Sequence, residues 1–319
     1  MINRELIRLK VVQIVYGAHF NAFADSDKVW EELEKSLQQS YDLYHYLLKF
    51  LVDLRRVAEK QVEAGIQRWH RVGLGDEPSR RFIDGAFIRQ LEDNERLRAY
   101  CANEKWTWMD HEQYLMRTYQ KVLASDYYQA YMALPSPTYK DHRQVWYDLY
   151  VDCVCNNDFI DSVLEDRGLF WNDDKFIVDS FALRTIQSFR EANGEAQPLL
   201  AQYRDSADRE FARTLLLSAV KGEAAYADII AAHLQPGWDM ERIARMDSVI
   251  MLVALAEICN CPDIPLRVTI NEYIEIAKTY STPQSGRYIN GMLDAMARTL
   301  RERGLTAKDA STTKTTNNK

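Results

Sequence analysis

Arg4 and Arg8 stand four residues apart near the start of the chain, with Lys10 close behind. On a helix that spacing puts both guanidinium groups on one face, where they could neutralise neighbouring phosphates of a nucleic acid. A solvated face with local pairing to Glu5 is the plainer use of the same residues. A second cluster lies toward the other end: Lys278, Ser285, Arg287 and Tyr288, around the turn Ser281–Ser285. A helix starting at Thr282–Ser285 would offer free N–H groups to a phosphate, Arg287 would add charge, and the Tyr288 ring could stack on a base. The alternatives are simple capping, pairing of Lys278 with Glu275 or Glu272, and a core position for Tyr288.

Other chemistries find less support. The sequence has no phosphate-cradling Gly-rich loop, no G-x-S-x-G and no H-E-x-x-H. Its six histidines are scattered, and His142 beside Asp141 would point a different way on a helix. No catalytic residue, and so no enzyme, is expected. Cys153-x-Cys155 and Cys259-x-Cys261 could together offer four thiolates to zinc. A C-x-C on a helix splays its sulfurs to different faces, however, and five cysteines read as reduced thiols of a cytoplasmic protein acting as small hydrophobes. No metal or cofactor is expected.

These residues need elements to position them, and the composition points to helices. The 319 residues are 47% hydrophobic and 27% charged, with only 12 Gly and 8 Pro to punctuate them. The most apolar run, Val249–Ala256, covers about two helical turns, too short to span a bilayer. The start of the chain lacks the pattern of a cleaved signal peptide. The net charge of −7 is awkward for a nucleic-acid binder and lowers the expectation of tight RNA binding by this chain alone.

Helical periodicity predicts elements over about 3–20, 28–64, 80–103, 111–134, 142–167 and 174–192, with breaks at 21–27, 73–78, 135–137 and 193–198. In the second of these, Leu37, Tyr41, Tyr44, Leu48, Leu51 and Leu54 form one face. Toward the C-terminus, Asp263 is expected to cap a helix carrying Ile270, Ile274 and Ala277, with Pro265 in its first turn. Thr282 would cap the next, with Pro283 at its first position, and Tyr288, Met292 and Met296 would repeat along it. Gly291 would permit close helix approach. Asn271 and Asn290 would hydrogen-bond across the junction.

The run Asp263–Asp294, DIPLRVTINEYIEIAKTYSTPQSGRYINGMLD, resembles the NusB family of transcription antitermination factors through INExIExAK, a short turn and RYINGxLD. The stretch from Phe211 to Ile229 looks like the family's third helix. Asp239–Ile258 is similar to its long central helix, and Arg4–Tyr16 to its basic first helix, with Val-Gln-x-x-Tyr shared.

The resemblance implies an all-α fold: a discontinuous NusB-like body of residues 1–24 and 203–303, a helical insertion over 25–202 of unassigned role, and a disordered tail over 304–319. It implies binding to boxA-like single-stranded RNA together with NusE, a small-subunit ribosomal protein, and action on elongating RNA polymerase at ribosomal RNA operons. On that basis Arg4, Arg8, Lys10, Gln13, Lys278, Ser285, Arg287 and Tyr288 are the RNA-binding candidates. Arg245 and Glu257, at the two ends of the central helix, are the candidates for NusE. The arginines at the start are sparser than the family's dense cluster. A helical interaction scaffold that keeps the body without RNA binding is the alternative. A methyltransferase accessory role would need a strand–Gly-rich-turn–helix pattern, which does not appear.

Overall fold

The computed structural model describes residues 1–21, 26–73, 75–104, 106–168, 170–235, 237, 240–306 and 308. Among them are fourteen α-helices, three short 3-10 turns and no β-strand; Ile2 and Tyr203 make an isolated parallel bridge. The chain is all-α. Its contacts divide it into two compact units, Met1 with Gln38–Gln202, and Ile2–Leu37 with Tyr203 onward.

Two helices open the chain, α1 (Arg4–Asn21) and α2 (Ser26–Val72). From Gln38 onward α2 is the axis of the first unit. Leu43 to Leu54 is buried almost continuously, and the predicted apolar face is buried apart from Tyr41, which is half-exposed. Around it come α3 (Ala86–Asp93), α4 (Glu95–Glu104), α5 (Glu112–Leu123), α6 (Asp126–Ala133), α7 (Tyr139–Cys153), α8 (Asp158–Arg167) and α9 (Trp171–Ser188).

Three of the long predicted helices are each two helices here, because a side chain supplies a cap inside the periodic run. Asn94 accepts from Leu97 N–H at 3.0 Å, Ser125 from Tyr128 N–H at 3.3 Å, and Asn157 from Phe159 N–H at 3.1 Å. Asn156, just before the last of these, has φ +49°, which ends α7 sharply. Conversely, α2 runs eight residues past the predicted end.

The second unit is completed by α10 (Ser206–Lys221), α11 (Glu223–Ala232), α12 (Arg245–Asn260), α13 (Leu266–Tyr280) and α14 (Ser285–Glu302). Helix α12 is its axis: Val249 to Ile258 is buried on every side, and α1, α10, α11, α13 and α14 pack on it. Helix α1 inserts Leu6, Ile7, Val11, Val12 and Val15 against α10 and α12. Opening and closing stretches of sequence thus build one core.

Several local expectations change. The central helix begins at Arg245, and Met240–Arg242 is a separate 3-10 turn. Helix α13 begins after Pro265, beyond the reach of Asp263 as its cap. Thr282 and Pro283 belong to a turn closed by Ser285 N–H to Thr282 C=O at 2.9 Å, and α14 starts at Ser285. Gly291 is exposed, and a Cβ there would meet nothing within 4 Å. The close approach falls at Gly286, where a Cβ would lie 3.3 Å from Lys278 Cγ. The expected disordered tail lies largely outside the described residues, but Lys308 is described and buried.

Candidate nucleic-acid interface

Two polar clusters lie at opposite ends of α12, and they take in the candidates Arg8, Glu257 and Ser285. At the C-terminal end, Glu257 is fully buried. It accepts a bidentate pair from Arg8, Nε at 2.7 Å and Nη2 at 3.0 Å. Thr269 Oγ1 donates to it at 2.6 Å and Tyr273 Oη at 3.0 Å. Arg8 Nη1 reaches on to Glu272 at 3.2 Å. Lys308 Nζ lies 3.9 Å from Glu257 and donates to Thr269. Burial alone would raise the Glu257 carboxyl, but the hydrogen bond and charge of Arg8, then Thr269, outweigh it and hold the group below its usual range. The same burial pushes the Lys308 ammonium down to about 8.

At the N-terminal end, Asp247 sits buried in the first turn of α12. Ser281 donates to one carboxylate oxygen and Ser285 to the other at 2.8 Å, while Thr282 Oγ1 lies 2.8 Å from Ser285 Oγ. One carboxylate therefore fixes the α13–α14 turn and the start of α14. The two acids are ten residues apart on α12, about 15 Å along its axis.

The candidates separate by exposure. Arg8, Lys10, Ser285 and Glu257 are buried, so none presents its polar group to a partner. Arg8 is consumed by Glu257, and the Ser285 hydroxyl by Asp247. Glu257, a candidate for NusE at the end of α12, is instead the buried acceptor at the centre of the polar cluster. Arg245, at the other end, is exposed.

Arg4 is half-exposed, 3.5 Å from Asp208, with its guanidinium over the Phe211 ring. Gln13 and Tyr288 are half-buried. Lys278 is exposed and pairs with Glu275 at 2.6 Å. Arg287 is exposed with no ion pair among the described residues. Asn271 and Asn290 face solvent, so the family letters they carry are not explained by buried hydrogen bonding. Beside Arg4, the starts of α1 and α13 line a cavity of about 350 Å3 with Asn3, Glu5, Arg8, Asp263 and Glu272 on its walls.

The sequence had not singled out Asp247, Thr269, Tyr273 or Lys308. A usable signal existed for the acids. Asp247 and Glu257 bracket the most apolar run of the chain, where a carboxylate persists only with donors around it. Asp141 and His142 are separate in the structure: Asp141 closes a capping box with Thr138, while His142 Nδ1 meets Tyr131 Oη at 2.7 Å. All five cysteines are free thiols, and burial raises Cys153 to about 11 and Cys155 to about 12. Among the described residues no group of three or more His, Cys, Asp or Glu could hold a metal, and no helix is long and apolar enough to cross a membrane.

An all-α body with a buried central helix, a clamped helix junction and exposed cations around it is the class of protein defined so far. Comparison with known proteins sharpens it. A NusB family model matches residues 180–298. The match starts inside α9, earlier than the body expected from 203, and leaves out α1. The transcription antitermination protein NusB of Geobacter sulfurreducens is 37% identical over 39% of this chain and 93% of its own length. That of Salinibacter ruber is 34% identical over 38% of this chain and 79% of its own. A solved T. maritima NusB structure is 30% identical over 37% of this chain and 82% of its own, with a TM-score of 0.29. The chain belongs to the NusB family, and with it to transcription antitermination at the family level; the N-terminal region brings helical material beyond the family match.

Proposed function

We propose that this chain binds boxA-like single-stranded RNA together with NusE, and that the pair acts in the cytoplasm on elongating RNA polymerase, notably over ribosomal RNA operons. The observation that carries the reading is the α13–α14 junction. Asp247 rigidly fixes it, and it carries the exposed Arg287 and Lys278. RNA contact then comes from Arg287, Lys278, Tyr288 and the half-exposed Arg4 and Gln13, while Arg8, Lys10 and Ser285 hold the surface in shape. Arg245 is the remaining candidate for NusE. The body is 1–24 and 203–303, and 25–202 is the added subdomain.

Filter binding of boxA RNA, with and without NusE, at two salt concentrations tests this. NusE is expected to tighten binding. Arg287→Glu plus Lys278→Glu should weaken it at least about tenfold, and a lost phosphate contact flattens the salt slope by about 0.7 on single-stranded RNA. Unchanged binding in the double variant, or no effect of NusE, defeats the reading. A second reading, an interaction scaffold without RNA binding, is favoured by one observation: of the three N-terminal cations, only Arg4 reaches solvent, and Asp208 already faces it. Absence of any boxA affinity in the NusE-containing mixture would select it.

A further inference from the structure

The acidity of the chain is concentrated. Residues 38–202 hold 20 Lys and Arg against 26 Asp and Glu, while the rest of the chain holds 20 against 21. Within the acidic part, Asp158 to Asp179 alone carries seven carboxylates and two cations. These residues are α8 and α9, and Asp158, Glu165, Asp166 and Asp173 are exposed.

On the same helices lies a cavity of about 480 Å3, lined among others by Asn156, Asp161, Lys175, Phe176, Asp179 and Leu183. Its floor is a buried charge cluster. Lys175 donates to Asp179 at 2.9 Å, and Tyr150 Oη donates to the other oxygen of Asp179 at 2.7 Å. Asp161 stands at the rim, its side chain 42% exposed, with Oδ1 turned inward to 3.7 Å from Lys175. The wall is Phe176, 83% exposed, the most exposed large apolar side chain described. One lysine among two carboxylates leaves the cavity net negative. A half-exposed carboxylate beside an open aromatic face matches a guanidinium, which donates in a plane and stacks on rings. The surrounding carboxylates would repel a phosphate backbone and attract a basic polypeptide.

We propose that the α8–α9 face docks a basic segment of a partner protein, with one arginine side chain seated between Asp161 and Phe176. This surface is independent of the RNA reading. Its charge gives the added helices a binding partner opposite in sign to that of the body.

The probe is a fluorescein-labelled twelve-residue peptide alternating arginine and leucine, with a control in which citrulline replaces every arginine. Anisotropy is read on the full chain. The arginine peptide should bind and weaken as salt rises. Asp161→Asn plus Phe176→Ala should weaken it at least about tenfold, which is about 1.4 kcal/mol, with the circular dichroism and thermal midpoint of the folded chain kept. Phe176→Ala alone, at an exposed position, serves as the variant secure in folding and should weaken binding measurably. The proposal is overturned if the citrulline peptide binds equally, if neither variant changes the affinity, or if a single-stranded RNA oligonucleotide loses binding in these variants while the peptide does not.

Discussion

Arg8 was a candidate because of its charge and its spacing from Arg4. The fold turns that charge inward, onto a carboxylate 249 residues away. Removing one member of a buried pair leaves the other uncompensated, so Arg8→Ala should cost about 3–5 kcal/mol in urea melts. The pH dependence has a defined sign. Glu257 is held below its usual 4.5, so its contribution is complete above that pH and is lost as pH falls through its lower folded value. Glu257→Gln should flatten that acid limb. His45 sets a second window in the other unit. Burial lowers it from 6.5 to about 4, where its ring stacks 3.8 Å from Tyr100 and Nδ1 meets the Tyr41 carbonyl. A depressed histidine contributes stability above pH 6.5 and loses it on acidification. About 2 kcal/mol should vanish between pH 7 and 5, and His45→Gln should remove that slope. The residue types of Arg8 and Glu257 were legible in the sequence, but their orientation was not, because burial depends on which distant helices close over a side chain.

Among the elements, helix type was legible nearly everywhere and helix extent was not. Apolar periodicity reports which face is buried and passes unbroken through a cap, so Asn94, Ser125 and Asn157 divide runs that look continuous. Their side chains are the readable sign, since each can bond a backbone N–H two or three residues ahead. The start of α14 shows the same limit: a turn at Thr282–Gln284 replaces the predicted cap, and a distant acid in α12 fixes it. Asp247→Ala should leave Ser281 and Ser285 without their acceptor and cost about 1–3 kcal/mol in chemical denaturation. It should also weaken boxA binding with NusE, although the Asp247 side chain is itself buried. Full RNA affinity in a folded Asp247→Ala chain would separate the clamp from the interface.

For the whole molecule, the charge of −7, spread evenly over the sequence, lowers the expectation of tight RNA binding by this chain alone. Its distribution changes that inference: the unit of Ile2–Leu37 and Tyr203 onward is near neutral, and the excess sits in Gln38–Gln202. Composition lists residues without saying which belong to one folded unit, so this division needed the contacts. Neutralising Asp158, Glu165, Asp166 and Asp173 to Asn or Gln should speed boxA association at about 20 mM salt and do so less at 150 mM, where fields decay within about 8 Å. Stopped-flow association rates at the two salts check it.

The distance in sequence between Arg8 and Glu257 also sets a schedule during synthesis. At roughly 5–20 residues per second, α1 emerges from the ribosome tens of seconds before the carboxylate that will hold it. Through that interval its leucines and valines have no native neighbours in α10 or α12, so α1 is an apolar face open to chaperones or misassembly until the later helices arrive.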